Sequence, residues 1–177
     1  MVMLYDLVGS GQKVHAVLFD YGQRHVQELI WAKCHCHRLK VLFTTIEVSR
    51  LHGSQLTYDK GGVVVPNRNA IFLSLAANLA ESLGCERITY ACNEDDFKVF
   101  PDCRAHFILA FNRMLESAGL KVRVSAPYMN KPKWKILALG QEMGVALHET
   151  WSCYKGGLKP CGKCLACKTR RKAEKCV

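Results

Sequence analysis

Apolar and polar positions along the chain fall into short blocks of changing period. Residues 1–8 carry Val2, Met3, Leu4, Leu7 and Val8 in a helical arrangement, and Gly9-Ser10-Gly11 ends the run. Short apolar runs rich in β-branched and aromatic residues predict strands over 14–19, 41–48, 87–91 and 122–126. Longer periodic stretches predict helices over 26–37, 69–82, 104–118 and 133–143. Residues 49–66 read as a long polar loop containing Gly61-Gly62, and residues 92–103 as an acidic loop. No internal repeat interrupts this order. Strands and helices alternate, which argues an α/β fold built on a parallel sheet with helices on both faces.

In such sheets ligand-facing groups gather beyond the carboxyl ends of the strands. After the first strand come Asp20, Tyr21, Gln23, Arg24 and His25. After the third come Glu94, Asp96, Phe97 and Asp102, and the fourth is followed by a stretch that ends on Lys133. Pro66-Asn67-Arg68-Asn69 opens a helix with an arginine and backbone donors suited to an anion. Each residue alone also has a plain structural reading. Asp20 and Asn69 suit helix caps, Glu94-Asp95-Asp96 a solvated turn, and His25 an ordinary surface position. Their collection on one edge, with Tyr21, Arg24, Phe97 and Phe100 among them, favours a ligand rim.

The strongest chemical signal lies near the end of the chain. Cys161, Cys164 and Cys167 recur at two-residue spacing, with Cys153 upstream. Thiolates are soft ligands, and four of them close a tetrahedral shell of the structural zinc type. An iron–sulfur cluster is the second reading, although the fourth position of a ferredoxin-type run is Arg171 here. Unligated reduced thiols are the third. The chain has ten cysteines, no secretory signal pattern and no apolar run near ~20 residues, so the expectation is a cytoplasmic protein with no membrane span. With 177 residues and a 49% hydrophobic content, the chain divides into an α/β domain over 1–150 and a four-cysteine module with a basic tail over 151–177. The net charge of +10 is densest over Lys168–Lys175. Such a tail can hold a phosphate backbone, but a solvated end or a counter-charge for small anions is favoured over direct nucleic-acid binding.

Several stretches together carry a resemblance. They are Phe19-Asp20-Tyr21-Gly22-Gln23-Arg24-His25, Pro66-x-Arg68-Asn69, and Phe100-Pro101-Asp102-Cys103-Arg104. Ala126-Pro127 with Lys133, and Cys153-Tyr154 ahead of Cys161-Gly162-x-Cys164-x-x-Cys167, complete the set. In this order, and over nearly the whole chain, they resemble the 7-cyano-7-deazaguanine synthase family. The resemblance implies a Rossmann-like parallel sheet of the PP-loop, adenine-nucleotide α-hydrolase type with a small C-terminal zinc module. It implies a carbon–nitrogen ligase that converts 7-carboxy-7-deazaguanine and ammonia, with ATP, to 7-cyano-7-deazaguanine through an activated carboxylate and an amide. The product serves queuosine-type modification of nucleic acid. One structural Zn2+ per chain on Cys153, Cys161, Cys164 and Cys167, ATP with Mg2+ as co-substrate, and a homodimer are implied as well. Arg68, Asp102 and Lys133 are then expected to act in catalysis. Asp20, Tyr21, Gln23, Arg24, His25, Asn69, Glu94, Asp96 and Phe97 are expected to face ATP or substrate. Three alternatives stay open: an amide-forming relative, a tRNA thiolase using Cys92 and Cys103, and a non-catalytic zinc and nucleic-acid-binding remnant.

One family feature is missing. Members begin with a strand and a Ser-Gly-Gly-x-Asp-Ser loop that cradles the ATP phosphates, whereas Met1-Val2-Met3 matches the helix after that loop. An incomplete version of a longer protein and a short protein without ATP binding compete as explanations, and the retained rim residues favour the first. Without the loop, ATP turnover is not expected. The absent strand belongs between the strand ending at Asp20 and the one ending at Ala91, where its loss leaves two unpaired inner edges. Lys135 is a smaller departure, at a position where relatives often carry an acid.

Overall fold

The structure is a computed structural model that describes residues 1–49, 51–60 and 62–177. Gly61, half of the expected Gly61-Gly62 pair, lies outside the described residues. The elements run α1 (Val2–Gly9), β1 (His15–Asp20), α2 (Gln27–Arg38), β2 (Leu42–Glu47), α3 (Arg68–Ser82), β3 (Arg87–Thr89), α4 (Glu94–Val99), α5 (Ala105–Ser117), β4 (Arg123–Ser125), α6 (Lys133–Glu142) and α7 (Leu165–Glu174). The expected alternation is present and the pairing is parallel. The strands form two separate pairs rather than one sheet: β1 with β2, from His15 opposite Leu42 to Asp20 opposite Glu47, and β3 with β4, from Arg87 opposite Arg123 to Thr89 opposite Ser125.

The chain divides into two units, residues 67–133 and residues 1–66 with 134–177. In the first of these, α5 buries Ile108, Phe111 and Leu115 at i, i+3 and i+7. They pack with Leu73, Ala77, Val122 and Val124 into an apolar cluster around β3 and β4. The segment expected as an acidic loop is instead α4 followed by a 3-10 turn at Pro101–Cys103. Its start is a capping box: the Asn93 side chain accepts from the Asp95 and Asp96 backbone N–H groups, and the Asp96 carboxylate accepts from the Asn93 N–H. Three acids at the first turn suit the positive end of the helix.

The other unit contains α1, β1, α2, β2, nearly all of α6, and α7. The expected polar loop at 49–66 turns inward, burying Ser54, Leu56, Thr57 and Val65. Ser54 Oγ donates to the Gly62 carbonyl (3.0 Å) and accepts from the Leu56 N–H (3.1 Å), which closes a 3-10 turn at Gln55–Thr57. His35 is fully buried, 2.9 Å from the Tyr5 hydroxyl through Nδ1 and 3.0 Å from the Glu149 carbonyl through Nε2. The basic tail is not a plain solvated end: it folds into α7, with Cys167 and Ala173 buried and Arg170 donating to the Thr150 (2.9 Å) and Leu147 (2.6 Å) carbonyls.

Candidate active site and metal centre

Cys153, Cys161, Cys164 and Cys167 bring their sulfurs within 4.8 Å of one another. The backbone orients them. Lys155 N and Cys161 N each donate to Cys153 Sγ (3.3 Å), Cys164 N to Cys161 Sγ (3.4 Å) and Cys167 N to Cys164 Sγ (3.5 Å). Cys164 is also the cap of α7, so two ligands sit at the positive end of a helix, where thiolates are favoured. The N–H groups of Lys163 and Cys164 hold the Cys161 thiol down to about 6, whereas burial pushes Cys167 up to about 12. Four sulfur donors and no nitrogen or oxygen donor fit a soft metal ion in a closed shell.

The β1–α2 turn consumes several of the polar groups that the sequence places on the rim. Asp20 Oδ1 accepts from the Gly22 N–H (3.2 Å), so this acid closes its own turn and does not cap α2. Gly22 takes φ +72°, which glycine adopts freely. Gln23 is 2% exposed. Its Oε1 accepts from Tyr21 N (2.9 Å), and its Nε2 donates to the Phe19 carbonyl (3.1 Å) and to Glu28 Oε1 (3.2 Å). Tyr21 is equally buried, its ring edge-on to His25 and its hydroxyl 3.5 Å from His25 Nε2. Burial of His25 corrects its plain surface reading. Arg24 donates its backbone N–H to the Leu56 carbonyl (3.0 Å), and its guanidinium lies 5.0 Å from the Tyr58 ring.

Within residues 67–133 the structure assembles a charged cluster. Asn69 Nδ2 donates to Asp102 Oδ2 (2.9 Å), tying the start of α3 to the 3-10 turn. Asn69 thus steadies a carboxylate where the alternative was a helix cap. Asp96 Oδ2 accepts from Asn93 Nδ2 (2.5 Å). Burial raises the Asp96 pKa, and the positive charges of Lys133 and Arg68 act against that rise. Asp95 Oδ2 accepts from the Lys133 N–H (2.9 Å), and Glu94 N donates to the Lys131 carbonyl (3.1 Å). These bonds stitch the β3 turn to the segment that starts α6. The Phe97 ring is 43% exposed, with the Arg104 guanidinium 5.8 Å from its centroid.

Cys92 and Cys103 are both buried, and the Tyr90 hydroxyl lies 3.3 Å from Cys103 Sγ. The interaction between the two thiols draws the Cys92 pKa down and pushes Cys103 up, while burial raises Tyr90. Arg68, Asn69, Glu94, Asp96, Phe97, Asp102 and Lys133 therefore belong to one unit. Asp20, Tyr21, Gln23, Arg24, His25 and the four cysteines belong to the other. The sequence reading did not single out Asn93, although Asn93-x-x-Asp96 is a legible capping pattern. Gln27 and Gly156, which meet across the cysteine loop, carry no local signal.

Comparison with known proteins places these residues in context. The family described as "Queuosine biosynthesis protein QueC" matches residues 1–176. The 7-cyano-7-deazaguanine synthase of Caldicellulosiruptor bescii is 38% identical, over 99% of this chain and 87% of its own length. The 7-cyano-7-deazaguanine synthase 1 of Colwellia psychrerythraea is 39% identical, over 93% and 83%. The enzyme of Alteromonas mediterranea is 38% identical, over 98% and 87%. Among solved structures, the U34-tRNA thiolase NcsA from Methanococcus maripaludis, with its 4Fe-4S cluster, aligns at a TM-score of 0.56. It covers 98% of this chain and 60% of that one at 14% identity, a likeness of fold alone.

Proposed function

The chain belongs to the QueC family, and from that premise we infer that it is a 7-cyano-7-deazaguanine synthase, an ATP-dependent carbon–nitrogen ligase. The carboxylate of 7-carboxy-7-deazaguanine is a poor electrophile until ATP, with Mg2+, places a phosphoryl or adenylyl leaving group on its oxygen. Ammonia then displaces that group to give the amide, and a second activation drives loss of water to the nitrile. The observation that carries the reading is the whole-length family match, which coincides with a buried-edge cluster of the required charges.

The residue roles follow from charge and placement. Arg68 and Lys133 steady negative charge on the departing phosphate. Asp102, oriented by Asn69, and Asp96, oriented by Asn93, accept from Mg2+-bound water or from the N–H edge of the base. Phe97 offers an exposed ring for stacking, while the buried Tyr21 supports its turn. Arg24 is the anion-facing cation of the β1–α2 turn, with Asp20, Gln23 and His25 shaping that turn around it. Glu94 stands at the edge of the cluster.

The four cysteines hold one structural zinc. Sulfurs within 4.8 Å suit one central ion, whereas a four-iron cluster, with each cysteine on a separate iron, needs wider spacing. Burial of Cys92 and Cys103 supports the ligase over sulfur transfer, which needs an accessible thiolate. No helix among the described residues is long and apolar enough to cross a membrane. The family reading adds action in the cytoplasm as a homodimer. The deciding assay supplies 7-carboxy-7-deazaguanine, ammonia and Mg-ATP to the cellular form of the protein, its N-terminus defined by intact mass. Mass analysis should find the nitrile. Product stopping at the amide would replace the reading with an amide synthetase, and no ATP-dependent product would overturn it.

A further inference from the structure

The Cys153–Cys161 segment does more than carry a ligand at each end. Gly156 lies so close to the Arg24–His25 peptide that a Cβ built on it runs into the Arg24 carbonyl oxygen. The obstacle is backbone, which cannot swing aside as a side chain does. Beside it Gln27, the first residue of α2, donates through Nε2 to the carbonyls of Gly156 (3.2 Å) and Gly157 (2.9 Å). Gln27 Oε1 is buried and makes no hydrogen bond among the described residues, so the amide is held there for its donors. The Arg24 N–H is also fixed, by the Leu56 carbonyl at 3.0 Å.

The metal loop has its own anchor one residue away. Lys155 N donates to Cys153 Sγ at 3.3 Å, and Cys161 N donates to the same sulfur. Gly156 and Gly157 are exposed and conformationally permissive, so the ligands at either end restrain them. We propose that Gly156 and Gln27 are positioning residues that make the metal-bound loop one wall of the Arg24–His25 turn, so that ion occupancy at the four cysteines sets the placement of Arg24. Coupling of this kind is reciprocal: whatever steadies the turn also tightens the ion. The ligase reading enters only in what Arg24 holds, an anionic part of ATP or of the carboxylated base.

The test is amide hydrogen exchange read by mass spectrometry on the metal-loaded full chain, with metal content measured alongside. Gln27→Met keeps the length of the side chain and removes both donors. Gly156→Ala introduces the overlap directly. With one ion per chain retained, Gln27→Met should speed exchange over residues 22–27 by about tenfold or more, while α5 exchanges at the wild-type rate. Stripping the ion from wild-type protein with a chelator should loosen the same residues. Wild-type exchange in either experiment would overturn the proposal. Equal acceleration in α5 would overturn it too, because that marks general loss of stability and not a local wall. If Gly156→Ala does not fold, Gln27→Met decides alone. A wild-type protein that makes the nitrile while Gln27→Met exchanges normally removes this proposal and keeps the ligase. A protein that makes no nitrile removes the ligase, and the exchange data still judge the wall.

Discussion

Residues 67–133 and the rest of the chain are held together by different means. The former close an apolar cluster on both sides of β3 and β4, and Asn93 is their buried polar side chain among the described residues. The latter bury Gln23, His25, His35, Ser54 and Thr57, and draw four cysteines onto one point. An apolar side chain specifies a volume. A buried polar one specifies a direction, because leaving it mispaired costs about 1–3 kcal/mol. The two strand-to-helix turns reflect this contrast. The β3 turn is capped by neighbours a few residues away, whereas the β1 turn is closed by its own amide and by a loop far along the chain. Local capping leaves the side chains of Glu94, Lys133 and Arg68 outside the bonds that close the β3 turn. The long-range closure takes up most of the polar groups on the β1 side.

The largest effect should come from the ion. Chelation removes the ion that gathers the four sulfurs, and Cys164→Ala takes away both a ligand and the cap of α7. Circular dichroism should lose helix signal and residues 151–177 should exchange rapidly, while α5 keeps its protection. Retained α7 protection in the metal-free protein would break the comparison. Next comes Leu115→Ala, which empties the centre of the apolar cluster at a position 1% exposed. It should destabilise residues 67–133 by about 3 kcal/mol in denaturant titration and leave metal content at wild type.

Asp102→Ala and Arg68→Ala should each lower kcat/KM about a hundredfold with the thermal midpoint nearly unchanged. Wild-type rates in both would remove them from the site. Gln23→Leu removes the side-chain bonds to Tyr21 N and to the Phe19 carbonyl and should cost about 2 kcal/mol.

The smallest effect has the opposite sign. Burial raises the Asp96 pKa, so the folded state favours the protonated acid. The stability this gives is full below the ordinary carboxyl pKa and is lost as pH rises through the raised one. At neutral pH the half-buried carboxylate is therefore a liability. Asp96→Asn should raise the thermal midpoint slightly at pH 7 and lose that advantage in acid. A midpoint difference independent of pH would contradict the assignment of burial as the cause.

Legibility in the sequence followed the range of the causes. The alternating elements were readable because each has its own period, and their edges agree with the structure to within a few residues. The four ligands were readable because spacing in the chain sets spacing around the ion. Helix α4 was not, since six residues are too short for a periodic signal and its cap is one Asn–Asp pair. Helix α7 was hidden by its charge and by a cap that is itself a cysteine ligand. Of the rim, Arg68, Asn69, Asp96, Asp102 and Lys133 do share one unit. Gln23 shows the opposite case: its composition suggests ligand binding, but its amide bonds fall within its own turn and the start of α2. Gln27 and Gly156 could not be paired from sequence, because 129 residues separate them.

That separation also orders events during synthesis. The ribosome makes Arg24 and Gln27 long before it makes Gly156 or any of the four cysteines. Closing so long a loop carries an entropy penalty that only the finished contacts repay. A nascent chain can thus assemble the apolar cluster of residues 67–133 while the β1–α2 turn made before it still lacks one wall. A turn translated early is thus completed late, and its completion waits on synthesis of the cysteine loop and capture of the ion.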